Sequence, residues 1–363
     1  MQLLSLTATN FRNLQNLQLE FPSRITAFIG ENGQGKTNIL EAIATLALGK
    51  SLRAGSDAAL VQHGAEFFRL TAAIQNSKSV QLELAYQAAP RQTKVCKVGG
   101  RAVPVGELIG QLPIVFFQPE DLNLVLLEPS RRRRYLDILL AQVSRAYIAA
   151  SSGYAKALKN RNALLSQIAE NQASEAELEF WDLELARHGT VIGQKRAELL
   201  EFAVQPLAAN FAKISAEERV LTAKLTGFDG AALTPEKYLA NLQKLRPQDL
   251  KYGTTNYGPH RQDLVFELNG ESVAVDGSRG EIRSTILALK LTELAFLESK
   301  TGTQPILLLD DVYSELDRGR QERLMNLLGA YQTFITTTKI EHLDALLEKQ
   351  VWEVKNGAFI LLK

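Results

Sequence analysis

An α/β fold, interrupted by an inserted helical arm, is what this sequence predicts, on three observations. Gly30-Glu-Asn-Gly-Gln-Gly-Lys36-Thr37 fits G-x-x-x-x-G-K-[ST] between an apolar strand-like run and a helix-like one. Much later, Gln304-Pro-Ile-Leu-Leu-Leu-Asp310-Asp311 is an apolar run closed by two carboxylates. Between these segments, residues 131–211 are nearly all helix formers.

The glycine-rich stretch has the flanks that a phosphate loop needs. Residues 24–29 read as a short strand, and residues 38–48 as a helix closed by Gly49. Gly30, Gly33 and Gly35 let the backbone wrap a polyphosphate without Cβ collisions, with Glu31, Asn32 and Gln34 between them. The first N–H groups of the following helix, from Asn38 onward, have no internal partner and point at an anion. Lys36 is placed for the β- and γ-phosphates of ATP, and Thr37 for Mg²⁺.

Ahead of the loop, residues 3–9 and 14–21 alternate as strands around the turn Asn10-Phe-Arg-Asn13. Arg12 in that turn is a candidate for phosphate or DNA, against the simpler reading of a solvated arginine. Residues 67–74 and 80–86 alternate as well, and are expected as antiparallel strands beside the nucleotide strand. Arg91, Lys94, Lys97 and Arg101 fall in an acid-free stretch, a candidate DNA face or a solvated hairpin. Residues 114–117 form a buried-strand candidate, and Gln118 turns out of it.

The helical insertion opens with Pro129-Ser130 and four arginines, 131–134, read equally as a solvated cluster or as facing a counter-anion, either DNA phosphate or a partner carboxylate. Apolar residues follow at helical spacing, a polar break falls at 171–174, and Pro206 is expected to end or kink the next helix. Residues 219–226 read as a strand. Thr234-Pro235 starts a helix running to about Arg246, before Pro247. Residues 264–268 and 272–275 read as a hairpin around Asn269-Gly270. A polar turn, residues 276–283, leads into an apolar helix from Ser284 to about Leu297.

In the last third, Asp310 and Asp311 end a strand of the buried parallel type, whose carboxyl end faces ligand. Asp310 suits Mg²⁺, and Asp311 suits the attacking water. Ser314-Glu-Leu-Asp317 precedes a helix expected over 318–328, residues 332–338 form another strand, and Asn356-Gly357 joins a terminal hairpin. For the phosphate loop and the acidic strand to share one site, the arm must leave the head and the chain must return to it. The expected boundaries are 1–128 for the N-terminal lobe, 129–250 for the arm and 251–363 for the C-terminal lobe.

Composition narrows the setting. A single cysteine, Cys96, cannot make an internal disulfide, and the formal net charge of +1 neither demands nor excludes nucleic acid. There is no signal-peptide pattern at the start and no apolar run long enough to span a bilayer, so a cytoplasmic protein off the membrane is expected. No helix-turn-helix or zinc-finger pattern points to sequence-specific DNA reading.

On these residues the chain resembles the bacterial RecF family of DNA replication and repair proteins, relatives of the Rad50 and structural-maintenance-of-chromosomes ATPases. The similarity spans essentially its whole length. Asn10–Asn13 resembles the family's opening turn, Gly30–Thr37 its Walker A loop, Phe117–Leu122 its Q-loop segment and Arg132–Asp137 its Arg-Arg-x-x-Leu-Asp stretch. Tyr257–Arg261 resembles Gly-Pro-His-Arg, and Ser278, Arg279 and Gly280 its ABC-type signature. Leu307–Asp311 resembles Walker B, Ser314–Asp317 the D-loop, and Thr336–Thr338 the switch position. Two departures stand out: Gln262 where the family has aspartate, and Glu281-Ile282-Arg283 where the signature usually continues with glutamines.

The resemblance implies an ABC-type P-loop ATPase head. Lys36, Asp310, Asp311 and Gln118 would be catalytic, with Thr37, Asp310 and Gln118 around Mg²⁺. Arg12, Asp317 and Thr338 would join the loop and signature residues around ATP. It further implies an ATP-dependent homodimer with weak, DNA-stimulated ATPase activity. Such a dimer binds single- and double-stranded DNA at gap junctions, helps load RecA with RecO and RecR, and supports SOS induction. The competing reading is an ATP switch acting mainly on a protein partner. A small-molecule kinase would leave Ser278, the Ser314–Asp317 segment and the arm without a purpose.

Overall fold

The computed structural model describes residues 1–216, 218–228, 230, 233–312, 317, 319–323, 329–339 and 349–362. In chain order it opens with β1 (Gln2–Phe11), β2 (Leu14–Glu20), β3 (Ile25–Ile29) and α1 (Lys36–Leu48). Next come β4 (Phe67–Gln75), β5 (Ser79–Gln87), β6 (Thr93–Val98), β7 (Arg101–Val103), the single turn α2 (Val105–Leu108) and β8 (Ile114–Phe117). The helical stretch contains α3 (Asn123–Leu126), α4 (Pro129–Ala141), α5 (Arg145–Ala169) and α6 (Leu178–Ser215). Then follow β9 (Leu221–Thr226), α7 (Pro235–Tyr252), β10 (Asp263–Leu268), β11 (Glu271–Ser272), α8 (Val273–Asp276) and α9 (Arg279–Thr301). The chain closes with β12 (Ile306–Asp310), β13 (Thr333–Thr337), β14 (Lys349–Lys355) and β15 (Ala358–Leu361).

These elements fall into two units. The first comprises Met1–Asp121, Lys213–Ser215 and Leu287–Lys363, and the second Leu122–Ala212 and Ala216–Ile286. Residues 251–286, which the sequence reading ran with the C-terminal lobe, belong to the second unit.

Two sheets build the first unit. One has the order β15-β14-β3-β13-β12-β8, in which β14, β3, β13, β12 and β8 are mutually parallel. The central strands β12 and β13 are buried along their whole length, as parallel strands covered on both faces must be. The other sheet, β2-β1-β4-β5-β6-β7, is wholly antiparallel. The expectation that β4 and β5 lie beside the nucleotide strand is therefore corrected: β4 pairs with β1 and β5 with β4, in a sheet apart from β3. Their alternating burial shows why, since only one face of that sheet is packed.

Helix α1 touches strands of both sheets. Ile39, Leu40, Ala42, Ile43, Leu46 and Leu48 are all buried, which fits a helix apolar on nearly every side. Gln332, just before β13, joins the sheets directly. Its Nε2 donates to the Leu3 carbonyl (2.9 Å), and its Oε1 accepts from the Leu3 N–H (2.6 Å).

In the second unit, β11-β10-β9 form a small antiparallel sheet. Leu164, Leu165 and Leu178 make a core at the α5–α6 connection, with Ile168, Trp181 and Leu250 against it. A buried ion network crosses the helices. Arg161 is fully buried and donates to Asp182 (2.6 Å), Asp249 (2.8 Å) and the Thr255 hydroxyl (2.8 Å).

Several boundaries differ from expectation. The first arm helix breaks at residues 142–144, where the Ser144 hydroxyl caps α5 by accepting from the Tyr147 N–H. Pro206 does not end α6, and Pro247 does not end α7. Each proline forfeits one backbone hydrogen bond, but buried residues beyond it hold the helix: Leu207 and Phe211 in α6, and Asp249 in α7. The second hairpin strand, β11, is only two residues long, with residues 273–276 forming a helical turn, and α9 starts at Arg279, earlier than Ser284. Of the helix expected over 318–328, residues 319–323 are helical. The remainder, and residues 314–316 of the Ser314–Asp317 segment, lie outside the described residues.

Candidate nucleotide site

Parallel register brings the chain's two distant motifs together. Ile29 pairs with Thr337, Thr336 with Asp310, and Leu309 with Phe117, so β3, β13, β12 and β8 end at one level. The phosphate loop leaves β3 there, Asp310 ends β12, and Gln118 follows β8. Ligands of open α/β sheets sit in this crevice beyond the carboxyl ends of the strands.

The loop curls over that edge and into α1. Gly30 passes so close to β14 that a Cβ there would stand 2.4 Å from the Val354 carbonyl oxygen. Gly35 caps α1 with φ 108°, a conformation that side-chain-bearing residues rarely adopt. The Lys36 ammonium turns back and donates to the carbonyls of Gly30 (2.6 Å) and Glu31 (2.7 Å). Burial pushes this lysine below its usual range, with Asp311 and Asp310 opposing that effect.

Asp310 is the junction. Its Oδ1 accepts from the Thr37 hydroxyl (2.8 Å) and the Thr336 hydroxyl (2.6 Å). Burial raises its carboxyl above the usual carboxylate range, and those two hydrogen bonds counter the rise. Asp311 takes a positive φ of 49°, and its N–H donates to the Thr336 carbonyl (3.2 Å) and hydroxyl (3.0 Å). The Thr37, Thr336 and Asp310 oxygens, beside Lys36 and the start of α1, suit Mg²⁺ and a triphosphate chemically: hard oxygen donors lie next to a cation and a helix N-terminus.

Other expected residues are held in different ways. Arg12 donates to both oxygens of Glu41 (3.1 and 2.9 Å) and to the Ala59 carbonyl (3.0 Å). Glu41 is buried on α1 and also accepts from Ser51 (2.6 Å). The Gln118 N–H donates to Asp121 (2.8 Å), which pairs with buried Lys290 of α9 (3.3 Å). Asp317 caps residues 319–323 by accepting from the Arg320 N–H (3.0 Å). Thr338 lies just past β13 and is exposed, whereas Thr336 makes the contact to Asp310. In the second unit, Ser278 and Arg279 are exposed at the start of α9 and Gly280 is half-buried.

Some supports were missed in the sequence. Asn13 donates to the Gln34 carbonyl (3.2 Å) and accepts from the Asn38 side chain (2.8 Å). Beside Asn13, the N–H groups of Asn356 (2.7 Å) and Gly357 (2.9 Å) donate to the Gln34 side chain and carbonyl. Both turns were legible as turns. Their place under the loop depends on strand pairing, which one sequence does not carry.

The expected positive face is largely neutralised. Lys94 pairs with Asp57 (2.7 Å), Lys97 with Glu83 (3.1 Å) and Arg101 with Glu107 (3.5 Å). In the arginine run, Arg132 donates to both oxygens of Asp263 (2.6 and 2.8 Å), so its counter-anion is a carboxylate of the same chain.

A phosphate loop, an acidic strand aligned beside it and an inserted helical unit define an ABC-type P-loop ATPase head. A family model for the RecF/RecN/SMC N-terminal domain matches residues 2–356. The DNA replication and repair protein RecF of Bacillus thuringiensis (strain Al Hakam) is 38% identical over 359 residues, covering 96% of this chain and 95% of that protein. RecF of Bacillus mycoides (strain KBAB4) is 37% identical over the same shares. Two solved structures of the recombination mediator protein RecF, with ATPrS and with ATP, superpose with TM-scores of 0.92 and 0.91 at 34% identity. They cover 100% and 99% of this chain and 98% and 97% of theirs. An Smc head bound to the C-winged helix domain of ScpA shares the fold, with a TM-score of 0.58 at 18% identity. The chain belongs to the RecF family, and with it to ATP-dependent DNA repair and recombination. Among the described residues no helix is long and apolar enough to cross a membrane.

Proposed function

We propose that this chain is an ATP-driven DNA clamp of gap repair. Two copies pair head-to-tail around two ATP molecules, and hydrolysis releases them. The observation that carries this reading is the meeting of Thr37, Asp310 and Thr336 at the mouth of the phosphate loop. Loop N–H groups and Lys36 grip the β- and γ-phosphates, the lysine exchanging its carbonyl partners for phosphate oxygens. Thr37 and Asp310, with Gln118 in neighbouring register, would hold Mg²⁺, which when bound neutralises charge on the triphosphate. Asp311 poises a water for attack on the γ-phosphorus, and the bond to the ADP oxygen breaks. Ser278, Arg279 and Gly280 of the second copy cap the γ-phosphate. Asp317, Arg12 and Thr338 serve from the edges of the site, Arg12 by holding α1 through Glu41.

ATP adds affinity to a weak dimer by mass action, so pairing tracks nucleotide. The paired protein binds single- and double-stranded DNA at gap junctions in the cytoplasm. It helps load RecA with RecO and RecR, supports SOS induction, and hydrolyses ATP slowly with stimulation by DNA. Sedimentation of the purified chain with and without ATP-Mg²⁺, repeated with gapped DNA, tests the core of this reading. The parent shifts to a dimer with ATP, and Lys36→Arg does not. A parent that stays monomeric at saturating ATP removes the clamp.

The ion pairs at Lys94, Lys97 and Arg101 favour a second reading, an ATP switch whose main target is a protein. Fluorescence anisotropy with gapped duplex separates the two: ATP-dependent binding at low salt supports the clamp, and its absence supports the switch.

A further inference from the structure

The turn that opens α9 is built around a carboxylate. The Glu281 N–H donates to Ser278 Oγ (3.3 Å), and the Ser278 N–H donates back to Glu281 Oε2 (2.6 Å). This is the reciprocal cap in which a serine and a glutamate three residues on satisfy each other's orphan N–H groups. Ser278 and Arg279 are exposed, while the Glu281 side chain is only 14% exposed. Glu281 Oε1 receives the guanidinium of Arg219, which also lies 3.5 Å from Glu271. All of these residues belong to the second unit.

A helix N-terminus attracts anions, yet a carboxylate within the first turn already answers that field and repels a second anion. Asp276, exposed just before the turn, adds to the repulsion. Arg279, Arg283 and Arg219 are cations of this region, and the Arg219 guanidinium meets Glu281. We infer that Arg219 is a positioning residue of this turn. It neutralises Glu281 while the other carboxylate oxygen keeps the Ser278 N–H, so that the exposed turn of Ser278 and Gly280 accepts the triphosphate held by a second copy. The glutamate is thus tolerated where a neutral residue would need no such partner. The inference rests on the proposed ATP-driven pairing and adds the residue that makes this signature compatible with it.

The test is sedimentation of the full chain across an ATP-Mg²⁺ titration, for the parent, Arg219→Ala and the double variant Arg219→Ala/Glu281→Gln. Arg219→Ala raises the ATP concentration for half-maximal pairing roughly tenfold, as an uncompensated like charge near the phosphate predicts. The defect shrinks at high ionic strength. Binding of a fluorescent ATP analogue to the monomer is unchanged, because the phosphate loop lies in the first unit. The double variant, which lacks the ion pair altogether, returns to within about twofold of the parent. A purely structural pair predicts the opposite: the double variant would be as defective as the single one, and that result overturns the inference. Arg219→Ala pairing at the parent's ATP concentration overturns it too, with the clamp reading intact. A parent that does not pair on ATP overturns both.

Discussion

Asp311 follows β12 in a left-handed conformation that aspartate tolerates better than most residues, held by two hydrogen bonds to Thr336. Its neighbour Asp310 is committed to two hydroxyls. The two carboxylates therefore stand in different surroundings, which suits the water-poising role proposed for Asp311. Asp311→Asn is expected to keep ATP-dependent pairing while slowing hydrolysis about a hundredfold or more, read by phosphate release. Hydrolysis at the parent rate would move that role elsewhere. Gln262 shows how a departure from family pattern is absorbed. Its Oε1 accepts from Arg196 (3.0 Å), and its Nε2 donates to the Phe228 carbonyl (2.8 Å), a bond that an aspartate cannot make.

At the scale of elements, the second unit is pinned by buried polar groups as well as by its leucine core. Arg161 on α5 balances Asp182 on α6 and Asp249 on α7, and Asp182 also accepts from Arg246 (2.6 Å). Arg161→Ala leaves buried carboxylates short of charge and should destabilise this unit by about 3–5 kcal/mol, read from its chemical-denaturation transition. His260 makes the same unit acid-sensitive. The Thr255 carbonyl can only accept, so Nε2 carries the proton (2.9 Å), and Nδ1 accepts from the Tyr154 hydroxyl (2.6 Å). Burial lowers this imidazole to about 4. The unfolded chain binds the proton near pH 6.5 and the folded one resists it, so stability present at neutral pH is lost as pH falls from about 6.5 toward 4. The loss is up to about 3 kcal/mol. Urea unfolding of the parent and of His260→Gln at pH 7, 5.5 and 4.5 (conditions set by that roughly 2-unit window) should show the slope in the parent alone.

On the whole-molecule scale, the proposed DNA binding needs a surface with cations available to phosphate. Lys94 and Lys97 already have carboxylates, so phosphate would have to displace them. Lys94→Gln/Lys97→Gln should leave affinity for gapped duplex within about threefold and the salt dependence unchanged. Two lost phosphate contacts would instead flatten the log–log slope by about two. A flattened slope in anisotropy titrations would restore this face as the DNA surface.

Local chemistry by itself determined the phosphate loop, its strand and helix, the acidic strand, the hairpins and the helical insertion. Each depends on neighbours a few residues apart, and each leaves a period or a glycine in the sequence. Only tertiary structure decided that β4 and β5 join β1 in their own sheet and that α6 and α7 run through their prolines. It also decided that the Asn13 and Asn356 turns converge on Gln34 of the loop and that Arg219 meets Glu281. Those outcomes depend on which distant surfaces exclude water together and which buried charges find partners. That energy is shared between segments, and no single segment carries it.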